Sequence, residues 1–309
     1  MADLPKLTLG TRRSPLAMAQ AEETRARLCA AHGWPESAVE LVPVVASGDK
    51  IQDRPLAEIG GKALWTRELD AWLFEKRIDA AVHSLKDVET IRPPELVIAA
   101  VLPRADKRDV LIGAASIAAL PQGAVVGTSA PRRAAQLLHA RPDCRVVSFR
   151  GNVATRLAKL AAGEAQATFL AAAGLQRLGE EGTGHPLDAE EWLPAPAQAA
   201  IGIECRSDDR QTREWLAAID HAPSRAEVMA ERALLAALGA TCHSPVAVRC
   251  DLQGQELAMH VALYSANGAE RISGEARFPV GDTDAPARLA ADLLARATPA
   301  VSGHFSGSR

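Results

Sequence analysis

The chain has 309 residues, 48% of them hydrophobic and 24% charged, which suits about two domains of roughly 150 residues that together bury roughly 75% of the unfolded surface. A lone small module, a disordered chain and a disulfide scaffold are excluded. With 35 basic and 38 acidic residues the formal charge is −3, so there is no global attraction to nucleic acid or an anionic membrane, and any anion site must be local.

The start, Met1 to Lys6, lacks the basic and apolar regions of a secretory signal, and no run reaches 18 apolar residues, so a cytoplasmic protein is expected. Five cysteines (Cys29, Cys144, Cys205, Cys242 and Cys250) are odd in number and scattered, with no C-x-x-C pair, which argues against a zinc ribbon and for free thiols. In chain order, short β-branched runs alternate with helical patterns. Leu7 to Leu9 precedes a helix over 14–32, Val39 to Val45 precedes 63–77, and Ala80 to His83 is followed by a turn and a strand over 96–102. Val125-Val126 then precedes a helix over 130–140, Val146 to Phe149 precedes 153–162, and Ala167 to Leu170 precedes a short helix near Gly174. The alternation predicts an α/β fold of βαβ units with mainly parallel sheets covered on both faces. After a strand at 200–205 and helices at 210–219 and 225–238, three period-two strands (246–250, 257–264, 271–278) and a helix at 285–297 predict a smaller α+β domain. The tail from Ser302 reads as frayed. Polar breaks at 103–109 and 182–196 mark boundaries.

Three strand-to-helix turns share a design: Gly10 to Pro15, Gly127 to Arg133 and Arg150 to Arg156. Each supplies an N-cap residue, Ser14, Ser129 or Asn152. Each also places arginine there: Arg12 and Arg13, Arg132 and Arg133, Arg150 and Arg156. A helix N-terminus is already positive, so a nearby cation costs about 0.3–1 kcal/mol unless an anion arrives. All three lie at carboxyl ends of strands, where open α/β sheets bind ligands, and Lys86 and Arg177 extend the set. The pattern points to a polyanion delivered from outside, held bidentately by guanidinium forks; for any single arginine, pairing with a surface acid is the alternative. Phosphate stays a competitor, although no G-x-G-x-x-G or Walker sequence is present and Gly60-Gly61-Lys62 is only a glycine-rich loop with a lysine. Nucleic acid is disfavoured, because only 4% of residues are aromatic and the basic groups sit at separate turns.

Asp87, just past a strand end beside His83 and Lys86, is the acid–base candidate, a carboxylate suited to stabilising a cation and accepting a proton; alone, it reads first as a capping or salt-bridge residue. Cys242 sits on a loop beside His243, which reads either as an accessible reactive thiol or as an ordinary one. The scattered cysteines and histidines offer no metal-ligand spacing, so no metal is expected.

Together, TRRSPLAMAQ (11–20), PLAEIGGKALWTREL (55–69), DAAVHSLKDV (79–88), VVGTSAPRRAAQL (125–137), SFRGNVATRLAKL (148–160), AAAGLQRLG (171–179), AIGIECR (200–206) and ERALLAALGATCHSP (231–245) resemble the porphobilinogen deaminase (hydroxymethylbilane synthase) family, in order across nearly the whole chain. The resemblance implies two lobes similar to type II periplasmic binding proteins, residues 1–102 with 195–219 and residues 103–194, plus a C-terminal domain over 220–309, with the active cleft between the lobes. It implies a dipyrromethane cofactor joined by a thioether to Cys242, and head-to-tail condensation of four porphobilinogen molecules with loss of ammonia. Asp87 would be catalytic. Ser84, Lys86, Ser129, Arg132, Arg133, Arg150 and Gln198 would bind the cofactor, and Arg12, Ser14, Lys62, Arg156 and Arg177 the substrate. A monomer with no nucleic-acid or membrane partner is expected.

The chain departs from that family's pattern at Pro196-Ala197-Gln198-Ala199, which loses two glycines, at Trp65, at Ala130-Pro131 and at Ala240-Thr241. Two other readings remain at this point: a non-catalytic binder of a small polycarboxylate, and a hydrolase using Cys242 with one of the eight histidines.

Overall fold

The computed structural model describes residues 6–44, 66–241 and 243–306; Lys62, Trp65 and Cys242 lie outside them. Along the chain, β1 (Leu7–Arg12), α1 (Pro15–His32), β2 (Val39–Val44), α2 (Arg67–Phe74), β3 (Ala80–Ser84) and β4 (Leu96–Val101) come first. Next are β5 (Asp109–Ile112), β6 (Val125–Gly127), α3 (Pro131–Ala140), β7 (Arg145–Val147), α4 (Val153–Ala161), β8 (Ala167–Ala171), α5 (Ala172–Arg177) and β9 (His185–Pro186). β10 (Ile201–Arg206), α6 (Arg210–Ala217), α7 (Ala222–Leu238), β11 (Val246–Gln253), β12 (Glu256–Tyr264), β13 (Arg271–Pro279), α8 (Ala285–Arg296) and α9 (Pro299–Ser302) complete it. The chain forms two compact units, Met1–Ala105 with Ala199–Arg225 and Asp106–Gln198 with Ala226–Arg309.

In the first unit the sheet order is β2-β1-β3-β10-β4, with β1 parallel to β2 and β3, and β10 antiparallel to both neighbours. The second unit repeats the plan as β7-β6-β8-β5-β9, with β5 antiparallel to both neighbours. The expected parallel sheets are thus mixed. The reversed strand in each, β10 or β5, is the first strand after the chain passes from one unit to the other. Covering on both faces follows from period-two burial: Ala80 and Val82 of β3 join the core of Leu9, Leu28 and Ile203, while Ala81 between them joins Leu69, Leu73 and Ile78.

The sequence reading passes over β5. Asp109-Val-Leu-Ile is a short run that opens on a charge, yet Val110 and Leu111 are buried and pair with β8.

Also in the second unit, β11-β12-β13 form an antiparallel sheet. Leu234 and Leu238 of α7, Val248, Met259 and Val261 of the strands, and Leu289 and Leu293 of α8 fill its core. The tail expected to fray from Ser302 is held as far as Phe305: Phe305 is buried in that core beside Val301, and Ser244 Oγ donates to His304 O at 3.0 Å. Among the described residues no helix is long and apolar enough to cross a membrane.

Candidate active site

In the first unit, Ser14 caps α1 as expected: its Oγ accepts from Ala17 N at 3.3 Å, Pro15 opens the helix, and no acid occupies the first turn. Arg12 ends β1 beside it. β3 ends at Ser84 and runs into a single 3-10 turn, Leu85–Asp87, whose Leu85 N donates to Ala200 O. The turn sits tight on β10 because residue 202 is glycine; a Cβ there would lie 2.4 Å from Leu85 Cδ2. Ser84 Oγ exchanges hydrogen bonds with the Gln20 amide, at 2.8 and 3.1 Å.

Because β1 and β3 are parallel neighbours, their carboxyl ends meet. Arg12, Ser14, Gln20, His83, Ser84 and Asp87 line one cavity of about 60 Å³. Lys86 shares the turn, half-buried. Four expected residues, Arg12, Ser14, Ser84 and Asp87, are therefore brought together.

Beneath them lies a charge cluster that sequence reasoning missed. Glu204 of β10 is fully buried. It accepts from Arg92 Nε at 3.0 Å and Nη2 at 2.9 Å, and its Oε2 lies 3.2 Å from His83 Nε2. Arg92 also donates to Asp70 at 2.5 Å and to Glu89 at 3.0 Å, and Glu89 accepts from Thr66 at 2.9 Å. Burial works against the charge on Glu204, yet His83 and Arg92 hold it down to about 2; at Asp70 burial wins over Arg92 and raises the carboxyl above its ordinary value.

In the second unit the sheet order places the carboxyl ends of parallel β7, β6 and β8 side by side. Asn152 caps α4 as expected, accepting from Thr155 N at 2.9 Å. Ser129 does not cap α3. Its Oγ donates to Phe149 O at 2.9 Å, and the N-cap is Ala130, which has no side-chain hydrogen bond to offer. The first turn of α3 contains no acid.

Arg132 and Arg133, expected to await a charge from outside, already face an internal one. The fully buried Asp109 accepts from Arg132 Nη2 and Arg133 Nη2, both at 2.7 Å, from Trp192 Nε1 at 2.9 Å and from Gln198 Nε2 at 2.8 Å. Arg132 also donates to Leu193 O, Arg133 to Phe169 O and Gln198 to Lys107 O. Burial disfavours the Asp109 charge, but the two guanidiniums overcome it and hold the carboxyl far below its ordinary value. Two cations against one anion still leave a single positive charge at the start of α3. Arg150 and Arg156, on the turn after β7 and in α4, and Arg177, in the last turn of α5, are half-buried; Arg156 Nε donates to Gly151 O at 3.0 Å. Among the described residues no cluster of His, Cys, Asp and Glu is placed to hold a metal.

A family model described as "Porphobilinogen deaminase, dipyromethane cofactor binding domain" matches residues 7–214, and one described as "Porphobilinogen deaminase, C-terminal domain" matches residues 225–296. The chain belongs to the porphobilinogen deaminase family. A porphobilinogen deaminase of Sphingopyxis alaskensis is 55% identical over 97% of this chain and 96% of that protein, and one of Paracoccus denitrificans is 49% identical over 94% of each. Among solved structures, the BvgS VFT2 domain of Bordetella pertussis overlaps 73% of this chain and 90% of its own at 15% identity, with a TM-score of 0.41. In this chain Asp87 and Arg12 share the cavity of the first unit, and the cofactor-domain match spans both mixed sheets.

Proposed function

We propose that Asp87 is the acid–base group with which this chain carries out the porphobilinogen deaminase reaction of tetrapyrrole biosynthesis, and that the strand-end cations hold the carboxylates of substrate and product. In that reaction four porphobilinogen molecules join head to tail, each losing ammonia, and hydrolysis releases hydroxymethylbilane. The observation that carries the assignment is the placement of the Asp87 carboxylate in one cavity with Arg12 and Ser14, at the meeting carboxyl ends of β1 and β3.

The chemistry of each residue follows from its surroundings. Loss of ammonia leaves a cation on the incoming pyrrole, and a fixed carboxylate at that point lowers the barrier by supplying counter-charge without reorganisation. The same carboxylate accepts the proton from the newly bonded pyrrole carbon. Arg12, with its planar fork, holds a substrate carboxylate, and Ser14 supplies a hydroxyl beside it. Leu16, Val82 and Val88 give the cavity apolar walls that limit water. Lys62, which lies outside the described residues, is assigned to the substrate as well.

The residues present fit a polycarboxylate cofactor. At the start of α3 the uncapped helix end, the surplus positive charge and a buried Arg133 Nε with no acceptor among the described residues all favour an anion. Lys86, Ser84, Ser129, Arg132, Arg133, Arg150 and Gln198 are assigned to the dipyrromethane, and Arg156 and Arg177 to the substrate. When bound through a thioether to Cys242, the dipyrromethane supplies the pyrrole carbon to which the first substrate is joined. The same reading has the protein acting as a cytoplasmic monomer.

Asp87→Asn tests the central assignment. It is expected to keep its cofactor mass and its affinity for porphobilinogen while turnover falls by about 100-fold or more; hydroxymethylbilane formation within threefold of the parent refutes it. In parallel, intact-protein mass spectrometry is expected to show the dipyrromethane on the parent and the bare polypeptide for Cys242→Ser.

A further inference from the structure

The segment from His83 to Arg92 carries Asp87 at its middle, and both of its ends lie against one buried carboxylate, Arg92 by hydrogen bonds and His83 by close approach alone. His83 Nε2 lies 3.2 Å from Glu204 Oε2, and Arg92 grips the same group through Nε at 3.0 Å and Nη2 at 2.9 Å. Glu204 is in β10, the strand that pairs with β3, so the carboxylate belongs to the rigid sheet rather than to the turn. Past Asp87 the chain has no regular element until β4 begins at Leu96, and Arg92 ties that stretch to the sheet, its guanidinium reaching Glu204, Asp70 of α2 and Glu89, which also accepts from Thr66. Closing a ten-residue segment onto one fixed point removes much of its conformational freedom.

We propose that Arg92, acting through Glu204, is a positioning residue for the reaction: it fixes the far side of the Asp87 turn so that the carboxylate stays aimed into the cavity with Arg12 and Ser14. This rests on the assignment of Asp87 above. Arginine is needed for its fork, because a single ammonium cannot hold both oxygens of Glu204 while also reaching Asp70 and Glu89. A displacement of about 1 Å in a catalytic group can cost on the order of 100-fold in rate while leaving ground-state binding intact.

Arg92→Lys keeps the charge and loses the fork. It is expected to lower kcat about tenfold with the KM for porphobilinogen within twofold of the parent, and to retain the cofactor mass. Leu293→Ala, in the C-terminal core, gives a comparable fall in Tm as a control and is expected to keep the parent's kcat. A kcat within twofold of the parent for Arg92→Lys, a loss matched by Leu293→Ala, a change confined to KM, or loss of the cofactor mass each overturns the proposal. Should Arg92→Lys not accumulate as folded protein, Asp70→Asn loosens the same guanidinium more gently; about threefold lower kcat at constant KM is then expected, and an unchanged kcat overturns it. The Asp87→Asn variant separates the two claims. If Asp87→Asn is inactive and Arg92→Lys is unimpaired, only the positioning role falls; if Asp87→Asn turns over normally, the Asp87 assignment falls.

Discussion

Ala197 and Ala199 hold φ angles of 56° and 70°, the left-handed region in which a Cβ crowds the backbone. They flank Gln198, whose amide donates to Asp109, and Ala197 N donates to the buried Glu231 at 2.6 Å, so the contacts on either side fix this conformation against its strain. These are the two positions where the family's pattern has glycine. Ala197→Gly and Ala199→Gly are each expected to raise stability by about 0.5–1 kcal/mol, the relief of strain exceeding the added entropy of the unfolded chain; urea denaturation measures it. Thiol reactivity belongs to the same scale. Cys144, Cys205 and Cys250 are buried, and burial pushes the Cys205 thiol up to about 12, whereas Cys29 is half-buried. On the proposal that Cys242 holds the dipyrromethane as a thioether, alkylation of the native protein is expected to reach Cys29 alone, and a second rapidly modified cysteine at position 242 overturns the tether.

Two turns work as units with the strands beneath them. Leu85 packs directly over Gly202, so Gly202→Ala has no space without moving the Asp87 turn, and a loss of about 1–3 kcal/mol together with reduced turnover is expected, read from Tm and from the hydroxymethylbilane assay. On the other sheet Asp109 neutralises part of the charge of α3. Asp109→Asn leaves Arg132 and Arg133 buried without a counter-ion and is expected to cost about 3–5 kcal/mol in urea denaturation. The arginine pattern in the sequence singled out these turns, but it could not distinguish an arginine balanced from within, as Arg132 and Arg133 are by Asp109, from one left for a ligand. The strand bearing Asp109 opens a four-residue run behind a polar break, where nothing local marks it as buried.

At the scale of the molecule, buried carboxylates set the acid limb of stability. Glu204 is held at about 2 against an ordinary 4.5, so its contribution is complete above pH 4.5 and is lost as pH falls toward 2; Asp109, also depressed, adds a loss that begins as pH falls below its ordinary 3.8. Asp70, raised, has the opposite sign: its contribution is present at low pH and is lost as pH rises through its folded value. Glu204→Gln is therefore expected to be less stable at neutral pH and to show a flatter pH dependence between 4.5 and 2, checked by urea denaturation across that range. The sequence alone determined the strand–helix alternation, the smaller C-terminal domain and the placing of Arg12, Ser14 and Asp87 each just past a strand end, because periodicity, caps and turn residues act over a few positions. Only the tertiary structure decided which charges meet. Arg92 finds Glu204 across 112 residues and Gln198 finds Asp109 across 89, and such pairings follow from the order of strands in a sheet and from the cost of burying an unpaired charge, neither of which is written in local spacing.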